Sequence, residues 1–265
     1  PGGGRLLFAA ITDDRERLYT VGADGHGLRP VFKDSDSAFY LEPTWSPDGR
    51  RVAYTRSEDS PVAPAPAVHV AGADGSRRKE LTPGDMSVQP DWSPDGRRIA
   101  FMSVVDVETG ISVMDADGSG ARQFAATPTS DGEPRWSPDG RRLAVSAYGG
   151  AGNDDVAVID VGSGRFRRLT RSPAYEHSPA WSPDGRRIAY VKDGAVHVMR
   201  ADGSGDRAVT RSRKDTAPAW SPGGRRLSFV RDGNLFIVEA DGSRAACVRT
   251  GMLLTSGARW RPGPG

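Results

Sequence analysis

The sequence is poor in cysteine, histidine and long apolar runs. Cys247 is the only cysteine among 265 residues, which excludes an internal disulfide framework and any site built from paired cysteines. The longest apolar run, Leu6 to Ile11, is far shorter than the roughly 18 residues that a membrane-spanning helix needs. The sequence therefore predicts a soluble chain without membrane insertion.

The sequence also lacks an excess of either charge. It has 36 basic and 34 acidic residues, a net charge of +2, which is too small to indicate nucleic-acid binding. In contrast, glycine and proline are abundant, with 33 and 20 residues. Because both residue types favour turns, this composition indicates many short elements, while 37% hydrophobic residues suffice for a packed core.

All six tryptophans occur in one recurring context. Four open the string WSPDGRR, a fifth opens WSPGGRR, and the sixth opens WRPG near the end of the chain. They are Trp45, Trp92, Trp136, Trp181, Trp220 and Trp260, at spacings of 47, 44, 45, 39 and 40 residues. The tripeptide Ala-Asp-Gly also recurs, once in five units, and Val-Gly-Ser replaces it in the unit that contains Val161. Two independent markers therefore indicate six repeats.

Each repeat has the pattern of four β-strands. The first strand ends at the tryptophan, and the Ser-Pro-Asp-Gly that follows has proline and glycine where a tight hairpin requires them. Alternating residues such as Arg187 to Val191 predict the second strand, Val196 to Met199 the third, and the Ala-Asp-Gly turn leads to a fourth. Units of four strands and 40 to 45 residues predict an all-β, six-bladed β-propeller of antiparallel blades.

The two ends of the chain together complete one repeat. The C-terminal Trp260 belongs to a first strand with no partner after it, whereas Arg5 to Ala10 reads as a second strand with no first strand before it. We therefore expect the sixth blade to be shared between about residues 253–265 and 1–35, closing the ring by pairing of the terminal strands. On this interpretation residues 1–265 form a single propeller domain.

The motifs PxWSPDGRRIAY, VMDADGSG and RLT resemble the propeller repeat of the TolB family, and the resemblance covers nearly the whole chain in six copies. It implies a bacterial, periplasmic or extracellular scaffold that binds an extended peptide of a partner protein in its channel. The repeat also occurs in peptidases and polysaccharide lyases, so it predicts fold better than function. Neither the α/β domain that precedes the propeller of TolB nor a GxSxG nucleophile motif is found in this sequence.

Strand connectivity assigns residues to two faces. Hairpin turns lie on one face, the bottom, and the loops between second and third strands and between blades lie on the other, the top. Of the 34 acidic residues, 19 are assigned to the top face. We expect the residues just before each tryptophan to reach the mouth of the central channel, where convergent carboxylates attract cations. The predicted ligand-binding residues are Tyr40, Glu42, Gln89, Asp131, Glu133, Glu176, His177 and Asp215.

Two classes of function remain open. The first is a non-enzymatic, monomeric binding module that presents an acidic channel mouth to a peptide, a protein or a cationic ligand. The second is a metal-assisted hydrolase or lyase that uses His177, Glu133 and Glu176, although a single histidine at the mouth falls short of a usual zinc site. We expect no catalytic residues and no cofactor, with a channel-bound divalent cation as the open alternative.

Five pairs of arginines follow the hairpin turns on the bottom face, beginning at Arg50, Arg97, Arg141, Arg186 and Arg225. They are interpreted either as a basic ring for an anionic partner or as solvated strand starts whose guanidinium groups donate to turn oxygens.

Overall fold

The computed structural model describes residues 4–12, 14–33, 38–58, 64–84, 86–105, 108–124, 132–149 and 152–263. No helix in this part of the chain is long and apolar enough to cross a membrane. The described residues form β1 (Arg5–Thr12), β2 (Arg15–Gly22), β3 (Arg29–Pro30), β4 (Phe39–Trp45), β5 (Arg51–Ser57), β6 (Ala67–Gly72), β7 (Lys79–Glu80), β8 (Ser87–Trp92), β9 (Arg98–Val105), β10 (Glu108–Asp115), β11 (Arg122–Gln123), β12 (Gly132–Trp136), β13 (Arg142–Tyr148), β14 (Asp154–Asp160), β15 (Phe166–Arg168), β16 (Glu176–Trp181), β17 (Arg187–Lys192), β18 (Ala195–Arg200), β19 (Arg207–Ala208), β20 (Asp215–Trp220), β21 (Arg226–Arg231), β22 (Asn234–Glu239), β23 (Ala246–Val248), β24 (Leu253–Leu254) and β25 (Arg259–Trp260).

These strands form six antiparallel sheets, each one blade of a propeller. Blades 1 to 5 are β4–β7, β8–β11, β12–β15, β16–β19 and β20–β23, with strands in chain order from the channel outwards. Blade 6 joins β24 and β25 from the end of the chain to β1, β2 and β3 from its beginning. The predicted six-bladed, all-β fold is confirmed, and so is the pairing of terminal strands: Leu6 is opposite Trp260 and Ala10 is opposite Leu254.

The apolar core lies between neighbouring blades. Buried side chains form six clusters, and each combines residues of two adjacent blades. Between blades 6 and 1, for example, Leu7 and Ala9 of β1 cluster with Trp45 and Tyr54. Every blade has both faces buried in this way. The cluster between blades 5 and 6 therefore forms only when the two ends of the chain meet in blade 6.

The Ser-Pro-Asp-Gly turns are fixed by their own side chains. In the first turn the Ser46 hydroxyl donates to Asp48 Oδ1 at 2.6 Å, and the amide of Arg50 donates to the same oxygen at 3.0 Å. Gly49 has φ +64°, a left-handed conformation that glycine adopts without strain. The turns that begin at Ser93, Ser137 and Ser182 repeat these contacts.

The two arginines of each pair behave differently. The first is exposed, as expected of a solvated strand start, whereas the guanidinium of the second lies over the tryptophan of the next blade. The second arginines and their distances to the ring centroid are Arg51 to Trp92, 4.4 Å; Arg98 to Trp136, 4.6 Å; Arg142 to Trp181, 4.7 Å; Arg187 to Trp220, 4.4 Å; and Arg226 to Trp260, 5.4 Å. The interpretation that these guanidinium groups donate to turn oxygens is confirmed for Arg98 and Arg187, which donate to the Gly140 and Gly224 carbonyls at 3.4 and 3.3 Å. The second arginine is only half-exposed, however, and it also joins blades by a cation–π contact, which the sequence pattern did not predict. Arg261 completes the ring over Trp45 at 5.5 Å.

Candidate functional site

A β-bulge interrupts the inner strand of blades 1 to 5 at the same place, three residues before the tryptophan. In blade 4, for example, the register shifts between His177 and Ala180. The residue at this position is left-handed in each of these blades, with φ 50° at Glu42, 59° at Gln89, 45° at Glu133, 54° at Ser178 and 50° at Ala217. Proline follows it in all five repeats and has no N–H for the strand ladder, which is why the pairing fails there.

In blades 1 to 5 the bulge residue lies at the central channel, and Gly257 has the corresponding place before the tryptophan of blade 6. The six residues at this position, Glu42, Gln89, Glu133, Ser178, Ala217 and Gly257, all line a cavity of about 540 Å³, and we call them the inner ring. In blades 1 to 3 the inner ring has long polar side chains, and in blades 4 to 6 it has small ones. The cavity is therefore polar on one side and spacious on the other.

Hydrogen bonds link the polar half of the inner ring from blade to blade. Glu42 Oε2 accepts from the amide of Gln89 at 2.9 Å and from the Thr55 hydroxyl at 3.0 Å. Gln89 Oε1 in turn accepts from the amide of Glu133 at 2.8 Å. An amide freed by a bulge would be costly to bury without a partner, and in blades 2 and 3 the inner-ring side chain of the preceding blade satisfies it.

The chain of hydrogen bonds stops at Glu133. Among the described residues, Glu133 Oε2 is buried and has no hydrogen-bond partner. The next inner-ring amide, that of Ser178, donates to Ser146 Oγ at 3.2 Å instead. Glu133 is thus the inner-ring carboxylate with a buried oxygen that accepts no hydrogen bond from the described part of the propeller.

The charges around the cavity are mixed. Glu42, Glu133 and Asp232 line it together with three cationic side chains, Arg135, Lys214 and Arg259. Asp232 is paired with Lys214 at 3.0 Å. The sequence did not single out these cations, although Arg135 and Arg259 both stand directly before a repeat tryptophan and could have been found by aligning the repeats.

Burial shifts the titration of the carboxyls near the inner ring. Burial raises the pKa of Glu42, and the charge of Glu133 raises it further, whereas the hydrogen bonds from Thr55 and Gln89 lower it. Asp91 accepts from the amide of Trp136 at 2.9 Å, and burial raises the pKa of its carboxyl to about 6, against the nearby positive charge of Arg135.

Four of the predicted site residues come together. Glu42, Gln89, Glu133 and His177 all line the cavity. His177 Nδ1 is 2.9 Å from Ser178 Oγ, and its ring centroid is 4.9 Å from that of Tyr175. Seven acids that the sequence assigned to the top face lie outside the described residues, one of them the predicted site residue Asp131; the seven are Asp13, Asp34, Asp36, Asp59, Asp85, Asp106 and Asp131.

The placement of Tyr40, Glu176 and Asp215 at the channel mouth is wrong. Each of the three is buried, and each precedes a tryptophan by five residues in the sequence. In blade 4 Glu176 is opposite Lys192 and Trp181 is opposite Ile188, so the two share the blade face that packs on a neighbour. The extra residue of the bulge, Ser178 in this blade, lines the channel cavity instead.

Each of these three side chains has local partners, and those of Glu176 and Asp215 are on the neighbouring strand of the same blade. The Tyr40 ring contacts the rings of Phe32 and Tyr54, with centroids 4.9 and 5.6 Å away. Glu176 pairs with Lys192 at 3.0 Å, and Asp215 with Arg231 at 2.6 Å.

Several other acids of the top face are neutralised in the same way. Asp155 pairs with Arg168 at 2.9 Å, and Glu58 pairs with Arg56 at 2.7 Å. These top-face acids are therefore engaged in local ion pairs. Within the described part of the chain, no three His, Cys, Asp or Glu side chains are grouped so that they could hold a metal ion.

Comparison with known proteins agrees with this architecture. The sequence model of the TolB beta propeller domain matches residues 51–258. A curated relative, the Tol-Pal system protein TolB of Thioalkalivibrio sulfidiphilus, is 32% identical over 81 residues, which are 29% of this chain and 17% of that protein. The match thus spans about a sixth of the relative's length.

Solved structures also share the fold. TolB from Acinetobacter baumannii has a TM-score of 0.82 at 23% identity and covers 99% of this chain and 68% of its own. A chain of a nidogen/laminin complex has a TM-score of 0.79 at 12% identity and covers 98% of both chains. At such identities these likenesses show the fold alone.

Proposed function

Because the chain belongs to the TolB beta propeller domain family, we propose that it is a non-enzymatic binding module whose central channel takes an extended peptide of a partner protein. The curated relative is named as a protein of the Tol-Pal system, and the structural neighbour in the nidogen/laminin complex is part of a protein assembly. Both names agree with a role in protein binding.

The asymmetry of the inner ring carries the proposal. Small residues at Ser178, Ala217 and Gly257 leave room in a cavity of about 540 Å³, and Glu133 on the opposite side has a buried oxygen without a partner among the described residues. A buried acceptor without a partner favours a ligand that brings a donor. Because the group is a carboxylate, a Lys or Arg side chain of the peptide is the partner that it would bind most strongly.

Binding of a basic peptide tests this proposal. A fluorescein-labelled decapeptide of alternating Arg and Ser is titrated with the protein and followed by fluorescence anisotropy. We expect saturable binding that Glu133→Gln weakens by about tenfold, since a hydrogen bond to a charged group contributes about 1.5 kcal/mol or more.

The matched control is Glu80→Gln, which removes an exposed acid of β7 outside the channel and should leave the affinity unchanged. Equal affinity of the Glu133→Gln variant, equally tight binding of a Gln-Ser decapeptide, or no saturation below about 1 mM would contradict the proposal.

The hydrolase or lyase alternative loses one of its three residues. Glu176 is paired with Lys192 within blade 4 and does not line the cavity. His177 and Glu133 remain, and a divalent cation held by them would be the enzyme's requirement. A stoichiometric metal in the purified protein that is lost in His177→Ala would favour this alternative over the binding module.

We further propose that the protein acts as a monomeric ring, without a cofactor, in the periplasm or outside the cell of a bacterium. The support is the family membership and a fold whose six inter-blade clusters are completed within one chain. Sedimentation velocity and fractionation of the source cells test the two parts of this proposal.

A further inference from the structure

The fifth hairpin turn lacks a carboxylate that the other four contain. In the turns at Ser46, Ser93, Ser137 and Ser182, one aspartate oxygen accepts from the serine hydroxyl at 2.5–2.6 Å and from the first arginine amide at 3.0–3.1 Å. In the fifth turn, which begins at Ser221, the aspartate position is Gly223.

The backbone of this turn is otherwise the same. The amide of Ser221 donates to the Arg226 carbonyl at 2.8 Å, and the amide of Arg226 donates to Ser221 Oγ at 3.0 Å. Among the described residues, however, neither the Ser221 hydroxyl hydrogen nor the Arg225 amide has an acceptor. A Cβ added to Gly223 would meet nothing within 4 Å, so the space that the missing side chain would fill is open.

Cations surround this open space on the bottom face. Gly223 and Ser221 line a cavity of about 690 Å³ together with Arg5, Arg225, Arg226 and Arg261. The only carboxylate among the lining residues is Asp48, whose Oδ1 accepts from Ser46 and Arg50 of its own turn.

Three of these arginines are held in place by other contacts. Arg226 lies over Trp260 at 5.4 Å, Arg261 lies over Trp45 at 5.5 Å, and Arg5 donates to the Gly27 carbonyl at 3.1 Å. None of the four is in an ion pair within the described part of the chain. Burial lowers the pKa of Arg5, and the charges of Arg29 and Arg261 lower it further. The arginine side chains therefore hold positive charge at fixed positions around the cavity.

We propose that the fifth turn is an oxyanion site, in which a carboxylate of an acidic peptide takes the place that the turn's own aspartate has in the other four repeats. One carboxylate oxygen accepts from the Ser221 hydroxyl and the Arg225 amide, and the second faces the surrounding guanidinium groups. The four complete turns show that these two donors fit a carboxylate oxygen. The volume of the cavity leaves room for further acidic residues of the same peptide. This site is on the face opposite to the inner ring and does not depend on the proposed function of the channel.

Amide chemical shifts of the ¹⁵N-labelled 265-residue protein test the proposal. The probe is an acetylated, amidated triglutamate peptide, titrated at constant ionic strength. We expect the Arg225 amide signal to shift and saturate, with a Kd of about 1 mM or below. In Gly223→Asp the built-in carboxylate should abolish this response, whereas Gly223→Ala, which adds a side chain without charge, should retain it.

Two further variants separate a built site from general attraction to arginine. Arg225→Gln should raise the Kd about threefold to fivefold, as expected for loss of one exposed ion pair. Arg141→Gln, at the same repeat position in a turn that has its own Asp139, should leave the Kd unchanged.

Three results would overturn the proposal. The first is no saturable shift of the Arg225 amide, and the second is an equal shift in Gly223→Asp. The third is inorganic phosphate binding more tightly than triglutamate, which would assign the site to phosphate and not to an acidic peptide.

Discussion

Asp91 and Asp95 are four residues apart, and their carboxyl groups are shifted in opposite directions. Burial raises the pKa of Asp91 to about 6. Hydrogen bonds from the Ser93 hydroxyl and the Arg97 amide lower the pKa of Asp95. The same residue type therefore opposes folding at one position at neutral pH and supports it at the other.

The raised pKa of Asp91 leads to a prediction about pH. Because the folded state holds this proton more tightly than the unfolded state, Asp91 stabilises the protein below about pH 4, and this contribution is lost as the pH rises to about 6. In Asp91→Asn, the side-chain oxygen still accepts from Trp136 but does not ionise. Relative to wild type, we expect the variant to gain about 2 kcal/mol in unfolding free energy between pH 4 and pH 7.

Urea denaturation at the two pH values measures this difference. Asp95→Asn is the control. Because the lowered pKa of Asp95 makes its stabilising contribution nearly complete above the unfolded pKa of about 4, this variant should be less stable than wild type by a similar amount at both pH values. If the unfolding free energy of Asp91→Asn changes between the two pH values by the same amount as that of wild type, ionisation of Asp91 does not destabilise the folded state.

At the scale of single elements, hairpin turns and bulges decide where side chains go. The turn fixes the second arginine of each pair so that it covers the next tryptophan, and the bulge turns one side chain into the channel. Both features are repeated, so each can be tested in one blade with the others as internal references.

Arg187 and Arg186 form a matched pair for such a test. Arg187 lies over Trp220 at 4.4 Å and donates to the Gly224 carbonyl at 3.3 Å, whereas Arg186 is exposed. We expect Arg187→Gln to lower the unfolding free energy by about 1 kcal/mol through loss of the cation–π contact. Arg186→Gln should change it by less than about 0.5 kcal/mol. Equal effects of the two substitutions in urea denaturation would exclude an inter-blade role for the second arginine.

At the scale of the whole molecule, closure of the ring is the property on which stability depends. The strands β24 and β25 supply the inner edge of blade 6, and Trp260 belongs to the cluster between blades 5 and 6. Without them the apolar faces of both blades would be exposed to water.

Deletion of residues 253–265 should therefore abolish cooperative thermal unfolding, because one of six inter-blade clusters is lost together with the pairing of the chain ends. Differential scanning calorimetry measures the transition. A control chain that ends at Gly263 keeps both strands and should melt like the full chain. A chain without residues 253–265 that shows the same cooperative transition would contradict the dependence on closure.

The sequence determined the number of blades, the ends of the inner strands and the joining of the termini, because a tryptophan and turn motif recurs in six copies, complete in four and altered in two. Asp48 and Gly49 select their hairpin without regard to the rest of the chain. The repeated proline two residues before the tryptophan also marks the bulge. The sequence pattern does not show, however, in which direction the bulge turns the side chain.

Only the tertiary structure decided which polar residues face the channel. Glu133 and Glu176 are both acids just before a tryptophan, yet the bulge sends the first into the cavity, while strand pairing places the second beside Lys192, sixteen residues away. The direction of each side chain depends on the register between strands. Whether its charge is neutralised depends on the partners that this register brings close. A sequence pattern counts charges, but the pairing of strands determines which of them remain available to a ligand.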